Sequence, residues 1–129
     1  MRRLGVPGVG LGGNAACRLV QFSGTGDMPV IPTGAAKVRL PEARGGSVRA
    51  ADVTNEWERF LGNGQKFGTH PRLGTPDSGR ISTYVGGNEW RSIRYGKHEM
   101  TGSHYHEEVW RFDPAIHTVI ISNKRVSFK

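Results

Sequence analysis

The sequence predicts an α+β domain in which one helix packs on a four-stranded antiparallel sheet, preceded by a flexible leader rich in glycine and proline. Three observations lead to this prediction: an aperiodic stretch over residues 1–50, a helical repeat of apolar residues directly after it, and then alternating segments separated by turn residues. The chain has 129 residues, the size of a single domain. Its one cysteine, Cys17, excludes a disulfide within the chain, so packing must stabilise the fold.

The leader is predicted over residues 1–50 and the folded domain over residues 51–129. The leader contains 10 of the 19 glycines, and its 7 basic residues face 2 acidic ones. Ordering such a segment costs conformational entropy that little apolar surface can offset. Residues 1–17 resemble an export signal only loosely, because Pro7 and several glycines interrupt the apolar stretch. No stretch approaches the roughly 18 apolar residues of a membrane span, so we expect no transmembrane helix and no membrane partner.

The helix is predicted to begin after Asp52, a residue type suited to the N-cap. Apolar residues then recur at the spacing of one helical face, at Val53, Trp57, Phe60 and Leu61. Gly62 ends the pattern. We therefore expect Trp57 to anchor the helix in the core rather than to stack on a base.

Four strands are predicted from alternating patterns, at residues 80–85, 89–95, 104–112 and 117–122, with a short further strand at 126–128. The turn Gly86-Gly87-Asn88 joins the first two as a hairpin. His70 lies in the loop before them, next to Pro71, and is predicted to be exposed rather than catalytic.

The candidate active site is the third of these strands. Side chains two residues apart share a face of a strand. One row is therefore His104, His106, Glu108, Trp110 and Phe112, and the other is Tyr105, Glu107, Val109 and Arg111. Imidazoles that titrate near neutral pH, beside a carboxylate, suit general acid–base catalysis. The predicted catalytic residues are His104, His106, Glu108, Arg94 and His98.

A net charge of +7 favours a polyanionic partner, so the substrate is expected to be nucleic acid. The predicted nucleic-acid contacts are Arg91, Arg80, Lys97, Tyr95 and Trp110. Arg94 ranks above Arg91 for the phosphate, because residues three apart lie on opposite faces of a regular strand. One register sends Trp110 and Phe112 to the open face with the imidazoles, whereas the other buries the imidazoles, and a β-bulge near Glu107 would resolve the conflict.

Three interpretations of this cluster remain open. In the first, His104 and His106 act as acid and base on a phosphodiester of RNA while arginines hold the phosphate, without a metal or other cofactor. In the second, both histidines and Glu108 bind a divalent metal that activates water for hydrolysis. In the third, these are half-exposed residues of a polar sheet face that support no reaction. The domain is then a non-catalytic nucleic-acid-binding module, or a protein whose basic surface binds an acidic partner.

Four segments, residues 53–62, 70–82, 91–100 and 104–110, resemble the C-terminal toxin domains of bacterial polymorphic and contact-dependent inhibition proteins. The resemblance covers about residues 50–129. It implies a ribonuclease of the barnase–EndoU–colicin–RelE type, with an N-terminal helix on a four-stranded antiparallel sheet and the active site on the exposed sheet face. It also implies cleavage of RNA without a metal, with tRNA as a candidate substrate. The protein would be delivered from the producing bacterium into the cytoplasm of a target cell. Such a domain is monomeric when free and is inhibited by an acidic cognate immunity protein.

Overall fold

A computed structural model describes residues 28–95 and 104–129 of the chain. These residues form an α+β fold with a 3₁₀ turn (Ala50–Asp52) that continues into helix α1 (Val53–Leu61). The six strands are β1 (Ala36–Arg39), β2 (Ala43–Val48), β3 (Arg80–Gly86), β4 (Glu89–Arg94), β5 (His104–Asp113) and β6 (Thr118–Phe128). They make one mixed sheet in the order β1-β6-β5-β4-β3, and β2 also pairs with β6. No helix in the described residues has the length and apolar character to cross a membrane.

Strands β3 to β6 form the predicted antiparallel meander. The break predicted near Asn123 is wrong, because β6 runs without interruption and Asn123 and Lys124 pair with Glu108 and Glu107 of β5. Asn and Lys are infrequent within strands, but here His106 and Glu107, on opposite faces of β5, give Asn123 and Lys124 their partners. The polar pair that looked like a turn is therefore part of the sheet.

The sheet has two strands more than predicted, and both come from the segment assigned to the leader. Strand β1 pairs in parallel with residues 118–121 of β6, and β2 pairs in parallel with residues 124–128. Every residue of β1 is exposed, so this strand lacks the alternation of buried side chains by which a strand is recognised. Pairing with the edge of β6, and not an apolar pattern, defines these strands.

One face of the sheet packs against α1, as predicted. The buried residues of this helix face are Leu61, Ile81, Ile93, Tyr105 and Val126, and Val53, Trp57 and Phe60 pack against them. The ring of Trp57 stacks on Tyr95 at 5.2 Å between centroids and meets the edge of Tyr105 at 5.3 Å, so its predicted role as a core anchor is confirmed. The predicted side-chain cap by Asp52 is wrong, since this carboxylate makes no capping bond and instead accepts a hydrogen bond from Arg49 Nε at 3.2 Å.

The opposite face of the sheet has a second apolar core at one end. It consists of Met28, Ile31, Ala35, Trp90, Trp110, Val119 and Ile121. The indole of Trp90 donates a hydrogen bond to the Pro29 carbonyl at 2.6 Å, which ties residues 28–35 to the sheet. This second layer covers the Trp110 end of β5. The sequence predicted that one face of β5 bears both the imidazoles and the large aromatic residues. The structure accommodates both without a bulge, because this face is apolar and covered at the Trp110 end and polar at the other end.

Glu107 is buried on the helix face, where burial raises the pKa of its carboxyl despite the ammonium of Lys124 at 3.8 Å. Its Oε2 has no hydrogen-bond partner among the described residues. A folded-state pKa above the unfolded value destabilises the fold as pH rises through the folded pKa. Replacing Glu107 by Gln is therefore expected to raise the free energy of unfolding at pH 7 by about 1 kcal/mol.

Urea unfolding of both proteins at a series of pH values tests this expectation. The gain of Glu107→Gln over the wild type should vanish in acid, where the wild-type carboxyl is protonated. A variant that is less stable than the wild type at pH 7 would contradict it.

Candidate active site on the polar sheet face

The polar end of the face opposite α1 is built from two adjacent rows of side chains that cross β3, β4, β5 and β6. Strand register places Ser82, Ser92, Glu108 and Asn123 in one row, and Arg80, Arg94, His106 and Arg125 in the next. Residues paired across strands lie on the same face, a few ångströms apart. We call these eight residues, with His104 at the end of β5, the polar face.

Glu108 is the centre of the polar face, with its side chain only 2% exposed. Its Oε1 accepts hydrogen bonds from Arg80 Nη1 at 2.7 Å and from Trp110 Nε1 at 3.0 Å, and its Oε2 accepts one from Arg94 Nε at 3.0 Å. Burial alone would raise the pKa of Glu108, but the charge of Arg80 and these bonds outweigh burial and lower it. Glu108 is therefore ionised at neutral pH and orients two guanidinium groups.

The two arginines bound to Glu108 differ in exposure. The side chain of Arg80 is 6% exposed and also bonds Asp77 at 2.6 Å and the Ser92 hydroxyl at 2.9 Å. The side chain of Arg94 is 34% exposed. Arg94 can therefore meet a ligand. Arg80, predicted to contact nucleic acid, instead directs its donors at Asp77, Ser92 and Glu108 and holds Glu108 in place.

His106 is buried among polar groups rather than in an apolar core, with a side chain 7% exposed. Its Nδ1 lies 3.0 Å from Asn123 Oδ1. The Asn123 amide nitrogen donates to Glu42 Oε1 at 3.4 Å, which leaves the amide oxygen to face the ring. Nδ1 is then the protonated nitrogen and Nε2 has the lone pair. Burial, followed by the charge of Arg94, lowers the pKa of His106, so the ring is neutral at pH 7.

Glu42 belongs to this site although the sequence placed it in the leader. It follows β1, and its carboxylate lies 3.9 Å from His106 Nδ1 and 3.6 Å from Arg125 Nε. Asn123 and Arg125 were also missed, because Asn123 resembled a turn residue. The spacing of two residues between Asn123 and Arg125 matches that between His106 and Glu108, and this signal could have identified them.

His104 lies beside His106 on the same face, as the alternation predicts. The two rings are 5.0 Å apart between centroids and perpendicular to each other. His104 is half-buried, and is therefore the more accessible of the two imidazoles. The face thus combines one enclosed neutral imidazole, one accessible imidazole and the guanidinium of Arg94.

His70 lies against this face, contrary to the prediction of an exposed loop residue. Its ring meets the edge of Trp110 at 5.4 Å, and its Nδ1 accepts the backbone N–H groups of Arg72 and Leu73 at 3.1 and 3.2 Å. Burial and the charge of Arg80 lower the pKa of His70. His70 lies here because the 67–77 loop folds over Trp110. This tertiary contact leaves no pattern in the sequence of the loop.

Three predicted nucleic-acid contacts lie away from the open polar face. Arg91 is on the helix face, where it bonds Glu89 at 3.0 Å and the Phe60 carbonyl at 2.9 Å. Tyr95 packs on Trp57, and Trp110 is 1% exposed in the second core. Arg91 and Tyr95 are an odd number of residues from Arg94, so their side chains lie on the opposite face of the sheet. Trp110 lies on the same face as Arg94 but is covered by residues that were assigned to the leader. His98 and Lys97 lie outside the described residues.

In residues 28–95 and 104–129, no group of three His, Cys, Asp or Glu side chains is placed to hold a metal ion. Both oxygens of Glu108, one of the ligands in the metal interpretation, are bound by arginine and tryptophan donors. The donor set around Glu108 is that of an ion-pair network.

The hydrogen bond between Asn123 and His106 predicts how the pKa of His106 changes when Asn123 is replaced. The hydrogen bond that His106 Nδ1 donates to the Asn123 amide oxygen raises the pKa of His106 and so opposes the effects of burial and Arg94. Asn123→Ala is therefore expected to lower the pKa of His106 further below the ordinary value, as followed by NMR titration of the ring protons. Asn88→Gly, at a turn remote from the polar face, should leave it unchanged. A higher pKa of His106 in the Asn123→Ala protein than in the wild type would contradict the assigned hydrogen bond.

Comparisons with protein-family models, with curated proteins and with solved structures find no match to this chain.

Proposed function

We propose that this domain cleaves single-stranded RNA by metal-independent acid–base transesterification on the polar face. The observation on which the proposal depends is that His104 and His106 lie side by side on the same face as Arg94, whose guanidinium is held by the ionised Glu108. A net charge of +7 suits a polyanionic substrate. A neutral base, an accessible imidazole and an anchored guanidinium are the groups that such a reaction requires.

His106 is the proposed general base. Its Nδ1 proton is directed at Asn123, so Nε2 accepts the proton of the ribose 2′-hydroxyl. The 2′-oxygen then attacks the adjacent phosphorus and the bond from phosphorus to the 5′-oxygen breaks. Since burial and Arg94 lower its pKa, His106 keeps its lone pair at neutral pH.

His104 is the proposed general acid, which protonates the leaving 5′-oxygen. The products are a 2′,3′-cyclic phosphate and a free 5′-hydroxyl. Arg94 stabilises the charge that develops on the phosphoryl oxygens, and Glu108 fixes its guanidinium through Nε. Arg80 acts through Glu108, so it is a positioning residue.

The biological setting that we propose follows from the resemblance to polymorphic toxin domains. In that setting the domain acts in the cytoplasm of a target bacterium, and an acidic immunity protein protects the producing cell. A basic face suits an acidic inhibitor.

Purified protein incubated with total RNA in excess EDTA tests the proposal. We expect discrete fragments with cyclic phosphate ends and 5′-hydroxyl ends, mapped by sequencing of RNA ends. Intact RNA at high protein concentration, or cleavage that requires added metal, would refute it. Salt-dependent binding with no cleavage would instead support a non-catalytic nucleic-acid-binding module.

A further inference from the structure

We infer that the substrate RNA lies along a basic track on the edge of the sheet formed by β1 and β2, an inference that rests on the proposed function. The track consists of Lys37, Arg39, Arg44 and Arg125. All four lie on the side of the sheet that bears the polar face, and they connect His106 with the edge strand β1.

Strand register places these cations. Arg125 pairs with His106 across β5 and β6, and Arg44 pairs with Arg125 across β6 and β2. Side chains of paired residues point to the same face. Arg44 therefore continues the row of Arg94 and His106 by two more strands, at about 4.8 Å per strand.

The track then turns along β6. Arg39 pairs with Ile121 and Lys37 pairs with Val119, and both partners have side chains on the polar-face side. At about 3.3 Å per residue, Arg39 lies roughly 13 Å and Lys37 roughly 20 Å from the level of Arg125. This length suits several nucleotides of an extended strand.

Pairing with carboxylates separates three of the four track cations from the other exposed arginines. Lys37, Arg39 and Arg44 are exposed and make no ion pair with any acid among the described residues. Arg49, Arg59 and Arg111, in contrast, are paired with Asp52, Glu56 and Glu89, respectively. The positive field is therefore strongest on the side of the sheet that bears the polar face.

One acid, Glu42, lies within the track. Its carboxylate is 3.6 Å from Arg125 and contacts the Asn123 amide, so it partly neutralises Arg125 and orients groups next to His106. The three unpaired cations are therefore the ones expected to bind phosphates. These three cations belong to β1 and β2, the strands that were assigned to a leader. The two strands would therefore bind substrate as well as extend the sheet.

The test uses the full chain and a fluorescent single-stranded RNA of about twelve nucleotides with 2′-O-methyl groups, which transesterification cannot cleave. Fluorescence anisotropy at several KCl concentrations gives the slope of log K against log salt. Each phosphate contact contributes about 0.7 to this slope for a single strand, so Lys37→Gln/Arg39→Gln/Arg44→Gln should lower it by about 2 and weaken binding at low salt by about tenfold or more. The single variants Arg39→Gln and Arg44→Gln should each lower the slope by about 0.7.

The matched control is Arg49→Gln/Arg59→Gln/Arg111→Gln, which removes the same charge from paired arginines. Its slope should equal that of the wild type. We call Lys37→Gln/Arg39→Gln/Arg44→Gln the track variant. Equal slopes for the two triple variants, or a wild-type slope for the track variant, would contradict the binding of RNA along the track. With cleavable RNA, the track variant should raise KM and leave kcat unchanged.

The two proposals fail in different ways. Because the probe cannot be cleaved, binding reports the track whether or not the protein is an enzyme. A normal slope in the track variant of an active nuclease refutes the track alone, and a reduced slope in a protein that cleaves no RNA refutes the proposed function alone.

Discussion

Replacing His106 by alanine is expected to lower kcat for RNA cleavage by about 10²- to 10⁴-fold, the range for loss of a general base. The reason is that Nε2 of this ring has the lone pair assigned to the 2′-hydroxyl proton, since Nδ1 is directed at Asn123. The measurement is single-turnover cleavage of a labelled RNA at pH 7. In the wild type, kcat/KM should fall in acid with a midpoint below the ordinary imidazole pKa, because burial and Arg94 lower the pKa of His106.

Two further variants separate catalysis from folding. His106→Asn retains a polar side chain beside Asn123 but offers no imidazole, so we expect the same loss of kcat in a folded protein. His117→Asn removes an exposed imidazole at a residue with φ of 48°, a conformation that asparagine adopts readily, and should leave kcat unchanged. Cleavage at the wild-type rate by either His106 variant would exclude this ring as the base.

Glu108→Gln is expected to lower the free energy of unfolding by about 3–5 kcal/mol, the cost of leaving a buried charge without its partner. Glu108 is 2% exposed and compensates the charges of Arg80, which is 6% exposed, and Arg94. An amide retains the volume but turns donor hydrogens towards groups that only donate. At roughly 4–8 °C per kcal/mol for a domain of this size, thermal unfolding followed by circular dichroism should show a large fall in Tm.

The pH dependence gives a second measurement of the same contact. The pKa of Glu108 is lowered in the folded protein, so its contribution to stability is present above the unfolded pKa and is lost as pH falls through the folded pKa. The difference between wild type and Glu108→Gln should therefore shrink in acid. Glu56→Gln, which breaks an exposed ion pair on α1, should cost at most about 1 kcal/mol. Equal losses in the two variants would show that Glu108 is not the centre of a buried network.

Several features could be predicted from the sequence because they depend on local periodicity. The repeat of Val53, Trp57, Phe60 and Leu61 specifies a helix with one buried face, and the structure confirms it. Alternation along β5 put His104, His106 and Glu108 on one face. The spacing of three between Arg91 and Arg94 correctly separated these residues onto opposite faces of β4.

What covers each part of those faces depends on contacts between distant segments. Residues 28–35 bury Trp110, β1 and β2 add to the edge of β6, and the connection between them brings Glu42 to His106. These contacts join residues far apart in the chain, and the segments involved lack an apolar period of their own. Which residues share a face could therefore be predicted from the amino-acid pattern, because side-chain direction in a strand is a local property. Whether each of these residues is buried or exposed depends on segments far away in the chain, so it is visible only in the folded structure.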